Sequence, residues 1–138
     1  MGLALETIRV LRRFKNAVLE GPPGTGKSHV VAAVAKAWKT ETGRELAGNG
    51  RGRYAITLHP NTTYEEFVEG LRYDDEKSSF VRKDGFLREV INDALDDPNS
   101  DYLVLIDELN RANVPKVFGD LLLTMESSKR ATWDGAAW

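Results

Sequence analysis

Hydrophobic and polar positions along this chain switch between two periods. From Leu3 to Phe14 the apolar residues Ala4, Leu5, Ile8 and Leu11 recur at helical spacing with Arg and Glu between them, which predicts an amphipathic helix. The short run Ala17-Val18-Leu19 leads into Gly-Pro-Pro-Gly and reads as a buried strand running into a glycine loop. Lys27 to Lys39 then has helical character with almost no polar face around Val30 to Ala35, as a helix packed against a sheet would have. Gly43 to Arg53 is rich in Gly and Arg and reads as a solvated surface connection before a strand from Tyr54 to Leu58.

The second half repeats the alternation. Thr62 to Glu66 offers a capping box, and Tyr64, Phe67, Val68 and Leu71 follow at i, i+3, i+4 and i+7, which predicts a helix. After the polar stretch Asp74 to Ser78, the segment Ser79 to Phe86 contains Lys83-Asp84-Gly85, a tight-turn signal that fits a small hairpin or bent loop. Leu87, Val90, Ile91 and Ala94 form another helical stripe, closed by Asp96-Asp97-Pro98-Asn99-Ser100. Tyr102 to Ile106 is a continuous apolar run of strand length, expected to be buried on both faces in a parallel sheet. A last helix is predicted from Val114 to Glu126, with Asn113 as N-cap and Phe118, Leu121, Leu122 and Met125 on one face. Lys129 to Trp138 reads as a loop or the first arm of a hairpin. Trp38, Phe67 and Phe118 are assigned to the core. Strands alternating with helices predict an α/β fold, a parallel sheet flanked by helices in three layers.

Composition narrows this to one globular domain: 138 residues are 41% hydrophobic and 29% charged. A formal charge of -2 gives no global attraction to nucleic acid or an anionic membrane. Cysteine is absent and only His29 and His59 are present, which removes disulfides and cysteine- or histidine-rich metal sites. His59 reads as a structural residue at a strand end. With no apolar run near the roughly 18 residues of a membrane span and no signal-peptide core, a cytoplasmic setting without membrane contact is expected.

The chemistry sits in two places. Gly21-Pro22-Pro23-Gly24-Thr25-Gly26-Lys27-Ser28 matches G-x-x-x-x-G-K-[ST] in full, between a predicted strand and a predicted helix, with His29 next in line. Glycines let successive N–H groups turn toward phosphate oxygens, and the following helix adds its positive end. Lys27 would set a charge on the β and γ phosphates, and the Ser28 hydroxyl would ligate Mg²⁺. The competing explanation is a plain glycine turn. The second place is Asp107-Glu108, which the apolar run Tyr102 to Ile106 delivers to the edge of the sheet where ligands of open α/β folds bind. Asp107 would hold Mg²⁺ through its water shell, and Glu108 would orient the attacking water. Alone, such a pair is an ordinary solvated strand end; after a phosphate loop it is the expected second half of the site. A small GTPase would read Asp-x-x-Gly here, and a P-loop kinase needs no water-activating acid, so Glu108 favours hydrolysis over transfer.

The segment Leu105 to Leu121, with Asp107-Glu108-Leu109-Asn110-Arg111-Ala112-Asn113-Val114-Pro115-Lys116, resembles the dynein-related, McrB-like branch of the AAA+ family. Leu58-His59-Pro60, the stretch Tyr64 to Leu71 and the glycine loop resemble the same branch, so the likeness runs from about Asn16 to Arg130. The resemblance implies a ring-forming nucleoside triphosphatase, a homo-oligomer (hexamer) with nucleotide between subunits, whose hydrolysis drives remodelling or translocation of a partner. It implies ATP or, as in McrB restriction systems, GTP, with a separate nuclease or effector subunit and only indirect contact with DNA. By the same likeness Asn110 and Arg111 would lie near the γ phosphate or a subunit boundary; the plainer reading of Arg111 is a surface ion pair.

The family's later parts, a sensor strand, an arginine finger and a helical lid, are not found before Trp138. A single partial AAA+ domain is therefore expected, with an open slot in its sheet and little turnover by itself. A P-loop transferase and a nucleotide-binding module without turnover remain as alternatives.

Overall fold

The computed structural model describes residues 2–22, 24–50 and 54–130. Helix α1 (Gly2–Phe14) buries Ala4, Thr7 and Ile8, the stripe expected from its pattern. Helix α2 (Lys27–Thr42) runs one turn beyond the predicted Lys39 and ends on Gly43, whose φ of 76° suits a left-handed cap. The two helices pack through Ala4, Ile8, Val34 and Trp38, joined by Leu46 and Leu103.

Strand β1 (Ala55–Thr57) pairs in parallel with β4 (Leu105–Asp107), Thr57 lying opposite Asp107. Ile56 and Ile106 turn to a second cluster built on Leu58, Phe67, Val68 and Val117, all buried. Layers of helix, parallel sheet and helix thus follow one another, and the α/β reading holds.

Several expectations fail, each for a local reason. Ala17-Val18-Leu19 is not a buried strand: no sheet pairing reaches it among the described residues, and Val18 is 77% exposed. Three apolar residues make a strand only when a neighbouring strand accepts their backbone groups. The apolar run Tyr102 to Ile106 is likewise paired with β1 only from Leu105 onward and is half-buried, since among the described residues β4 has β1 as its one strand neighbour.

The helix predicted through Leu71 is a single turn, α3 (Tyr64–Phe67). Its capping box forms as read, with Thr63 and Glu66 exchanging side-chain and backbone bonds at 3.2 Å each. The chain then leaves as β2 (Glu69–Asp74), paired antiparallel with β3 (Ser79–Asp84), so Leu71 stands 72% exposed on a hairpin. The turn of that hairpin is residues 75–78, not Lys83-Asp84-Gly85. Gly85 instead starts α4 (Phe86–Asp96), where a Cβ would meet the Glu66 carbonyl oxygen at 2.7 Å and the Phe67 and Val68 carbonyl carbons at 2.8 Å. Glycine is there for close backbone approach, not for a turn.

The last predicted helix is cut short. α5 (Val114–Phe118) has its expected cap, Asn113 accepting from the Lys116 N–H at 3.2 Å. Gly119, at φ 50°, then breaks it into 3-10 turns from Gly119 to Met125 and from Ser127 to Lys129. Most of the predicted terminal arm from Lys129 to Trp138 lies outside the described residues, as does part of the Gly43 to Arg53 connection. Trp38, Phe67 and Phe118 take core positions as expected.

Candidate functional site

The glycine loop occupies the N-terminal end of α2. Gly24 and Gly26 have φ of 78° and 81°, conformations that side-chain-bearing residues rarely adopt. Gly26 is the N-cap and offers no side chain to the helix, so the positive end of a 16-residue helix carries no side-chain cap. The Thr25 hydroxyl donates to the Pro22 carbonyl at 2.8 Å and bends the loop over itself. Lys27 Nζ donates to the carbonyls of Gly21 at 2.7 Å and Pro22 at 3.0 Å, so its charge lies across the mouth of the loop. Ser28 and His29 are exposed beside it. Pro23 is outside the described residues.

The acidic pair is built by β4. Asp107 is its last residue and is exposed; its backbone carbonyl accepts from Leu58 N–H at 3.0 Å, and its Oδ1 accepts from the Glu108 N–H at 2.9 Å. Glu108 then adopts φ 54°, the left-handed region, and opens a 3-10 turn from Leu109 to Arg111. Arg111 Nε sits 3.0 Å from Glu108 Oε2, and the Arg111 N–H donates to the Glu108 carbonyl at 2.9 Å. Asn110 is exposed on the same turn.

Each half of the site is tied to the other at its far end, a link that sequence did not reveal. Trp38, near the end of α2, donates its indole N–H to Asp101 Oδ2 at 2.8 Å. Arg44 Nε reaches Asp101 Oδ1 at 2.7 Å and its other arm donates to the Pro98 carbonyl at 3.1 Å. Backbone bonds from Asp101 N–H to Glu45 and from Ala47 N–H to Asp101, both 2.8 Å, close the tie. Trp38 was legible as core, but its indole partner lies 63 residues away.

A cation over a glycine loop, an uncapped helix start and a carboxylate pair at the end of a parallel strand suit a polyphosphate with a divalent cation. Residues 16–137 match the AAA domain of the dynein-related subfamily. The chain belongs to this family. The AAA chain is similar to the Type IV methyl-directed restriction enzyme EcoKMcrB subunit of Escherichia coli (strain K12), at 36% identity over 91% of the chain and 26% of that protein. It is also similar to the Type II restriction enzyme BsuMI component YdiS of Bacillus subtilis (strain 168), at 26% identity over 94% of the chain and 43% of that protein. It thus spans between a quarter and a half of the length of these relatives. The McrB-like, dynein-related resemblance is borne out, and with it the P-loop fold class and the nucleotide-dependent character of the family. Among the described residues no helix is long and apolar enough to cross a membrane.

Proposed function

We propose that this AAA chain binds a nucleoside triphosphate with Mg²⁺ between its glycine loop and the Asp107-Glu108 pair, and hydrolyses it as one subunit of a ring. Lys27 holds the β and γ phosphates, backbone N–H groups of Gly21, Gly24, Thr25, Gly26, Lys27 and Ser28 cradle them, Pro22 and Thr25 bend the loop through their own bond, and Pro23 and His29 complete the nucleotide-binding set read from the sequence. Ser28 and Asp107 are the residues that hold the metal ion, which when bound neutralises developing phosphate charge. Glu108 orients the attacking water.

One observation carries this reading: the Trp38–Asp101 bond pins the end of α2 to the segment that leads into β4, away from the proposed chemistry. From Trp38 back to Lys27 is eleven residues of helix, about 17 Å. From Asp101 on to Asp107 is six residues, at most about 20 Å when extended. Two arms of similar length leave one pin, and Leu103 packs in the same cluster as Val30 and Val34, which keeps them side by side. That arrangement favours convergence of Lys27 with Asp107.

ATP is the preferred nucleotide on family frequency, with GTP the alternative. Both relatives are named as parts of restriction enzymes. This supports a chain that works with a separate nuclease or effector subunit; the hexameric ring and the indirect contact with DNA are carried over from the family resemblance. The isolated chain should turn over little: residues 17–19 have no sheet partner among the described residues, so the strand side of the loop is not anchored to β4 there. Binding is tested by displacing a fluorescent nucleotide with ATP or GTP in Mg²⁺. Lys27→Ala should abolish binding, and unaltered affinity in that variant would remove the reading. Robust steady-state hydrolysis by the purified monomer would contradict the turnover expectation.

A further inference from the structure

The formal charge of -2 hides a separation of charge along the chain: residues 1–53 hold ten bases and four acids, residues 54–138 nine bases and seventeen acids. Two helix ends show it at the surface. α1 closes with Arg9, Arg12, Arg13 and Lys15, all exposed, and Phe14 stands 55% exposed with the Arg13 guanidinium 5.2 Å from its ring centre. α4 closes with Asp93, Asp96 and the cap Asp97, has no base in its last turn, and leaves Leu95 44% exposed. Bases suit the negative end of their own helix, so α1 explains its charges by itself. Acids at that end meet carbonyls of the same sign, a cost that a positive partner offsets. Glu45 is engaged by Lys39 and Asp93 by Tyr54. No ion pair among the described residues holds Arg9, Arg13, Asp96 or Asp97.

Both ends lie on the side of the molecule remote from the glycine loop. Arg12 donates to the Glu41 carbonyl, in the last turn of α2, at 3.3 Å. Tyr54 donates to Asp93 Oδ2 at 3.0 Å and Tyr102 to the Asp93 carbonyl at 2.8 Å, which ties the end of α4 to the starts of β1 and of the segment leading into β4. A cavity of about 450 Å³ opens there, walled by Glu45, Tyr54, Asp96, Asp97 and Tyr102. We infer that this end of the molecule docks against the same end of a second copy: Arg9, Arg13 and Phe14 of each copy seat on Asp96, Asp97 and Leu95 of the other. One patch of each sign on one surface meets the condition for a reciprocal two-fold pair, in which both contacts form together and the assembly stops at two. Phe14 and Leu95 supply the apolar anchors and the charges form the rim. The acid-walled cavity takes the guanidinium ends against its tyrosine rings. This contact leaves the glycine loop and Asp107 untouched and is independent of the nucleotide reading.

Sedimentation velocity of the 138-residue chain without nucleotide tests this. At about 0.1 mM protein and about 50 mM salt the chain should be a dimer, and its dissociation constant should rise at least about tenfold by about 500 mM salt. Arg9→Glu with Arg13→Glu should leave a monomer, and so should Asp96→Arg with Asp97→Arg. Mixed in equal amounts, the two variants should pair again, because each meets the sign it now lacks. Circular dichroism checks that each variant folds. Where a reversal unfolds the chain, Arg9→Gln with Arg13→Gln and Asp96→Asn with Asp97→Asn take its place, each expected to weaken the dimer at least about tenfold. A monomeric wild type, an undiminished dimer in either variant, no pairing in the mixture of folded reversals, or growth past two copies would overturn the proposal. If that monomer instead retains a DNA duplex through Arg9 and Arg13, the basic face belongs to nucleic acid and the proposal equally falls. Lys27→Ala should abolish nucleotide binding yet leave the dimer intact, so the two readings fail separately.

Discussion

Gly85 shows how a single residue can be misread from sequence and still be decisive. Asp84-Gly85 has the composition of a tight turn, yet the hairpin turns at residues 75–78 and Gly85 lies where three backbone atoms of α3 and its exit come within 2.8 Å of a would-be Cβ. Backbone cannot yield as a side-chain tip can. Gly85→Ala should cost about 1 to 3 kcal/mol, read as a lower urea midpoint by circular dichroism. An unchanged midpoint would mean that α3 and α4 are more loosely packed than described. Asp101 invites a parallel test, since it accepts from the buried Trp38 indole and pairs with Arg44. Asp101→Ala leaves that indole N–H unmet and should destabilise by about 1 to 3 kcal/mol. The glycine loop was legible because its eight residues are contiguous and each has a local reason. The Glu108–Arg111 contact was open only as a bare surface ion pair, because what aims it is a backbone angle that no spacing rule supplies.

Among the elements, those held by their own turns were read well and those that need a distant neighbour were not. α1, α2 and α4 each carry enough apolar residues in one continuous segment to be read without a distant partner, and all three form near the expected bounds. The segment Tyr64 to Leu71 carries an equally good stripe but becomes half helix and half strand, because Glu69 to Asp74 finds six partners in Ser79 to Asp84. Tyr73 and Phe80 stack edge to face across that hairpin at 5.4 Å, a favourable cross-strand pair that a helix would forfeit. The capping box at Thr63 decides where α3 starts. Thr63→Ala should lower stability by about 1 kcal/mol, checked by thermal melting; no shift in melting temperature would show that this one-turn helix is held by Phe67 packing alone.

At the level of the whole molecule, the two apolar clusters lie on either side of a sheet that is two parallel strands wide among the described residues. Residues 17–19 sit outside that pairing, so hydrogen exchange should find their amides opening far faster than those of α2 and β1. Comparable protection in all three would place residues 17–19 in a sheet after all. The fold class was readable because alternation of strand and helix survives errors at individual boundaries; sheet width was not, because it depends on pairings that no local window contains. Mechanically, Asp101 is a rivet: it fastens the end of α2 through Trp38, and the loop after α2 through Arg44, to the segment that leads into β4, so removing its one carboxylate would loosen two elements at once.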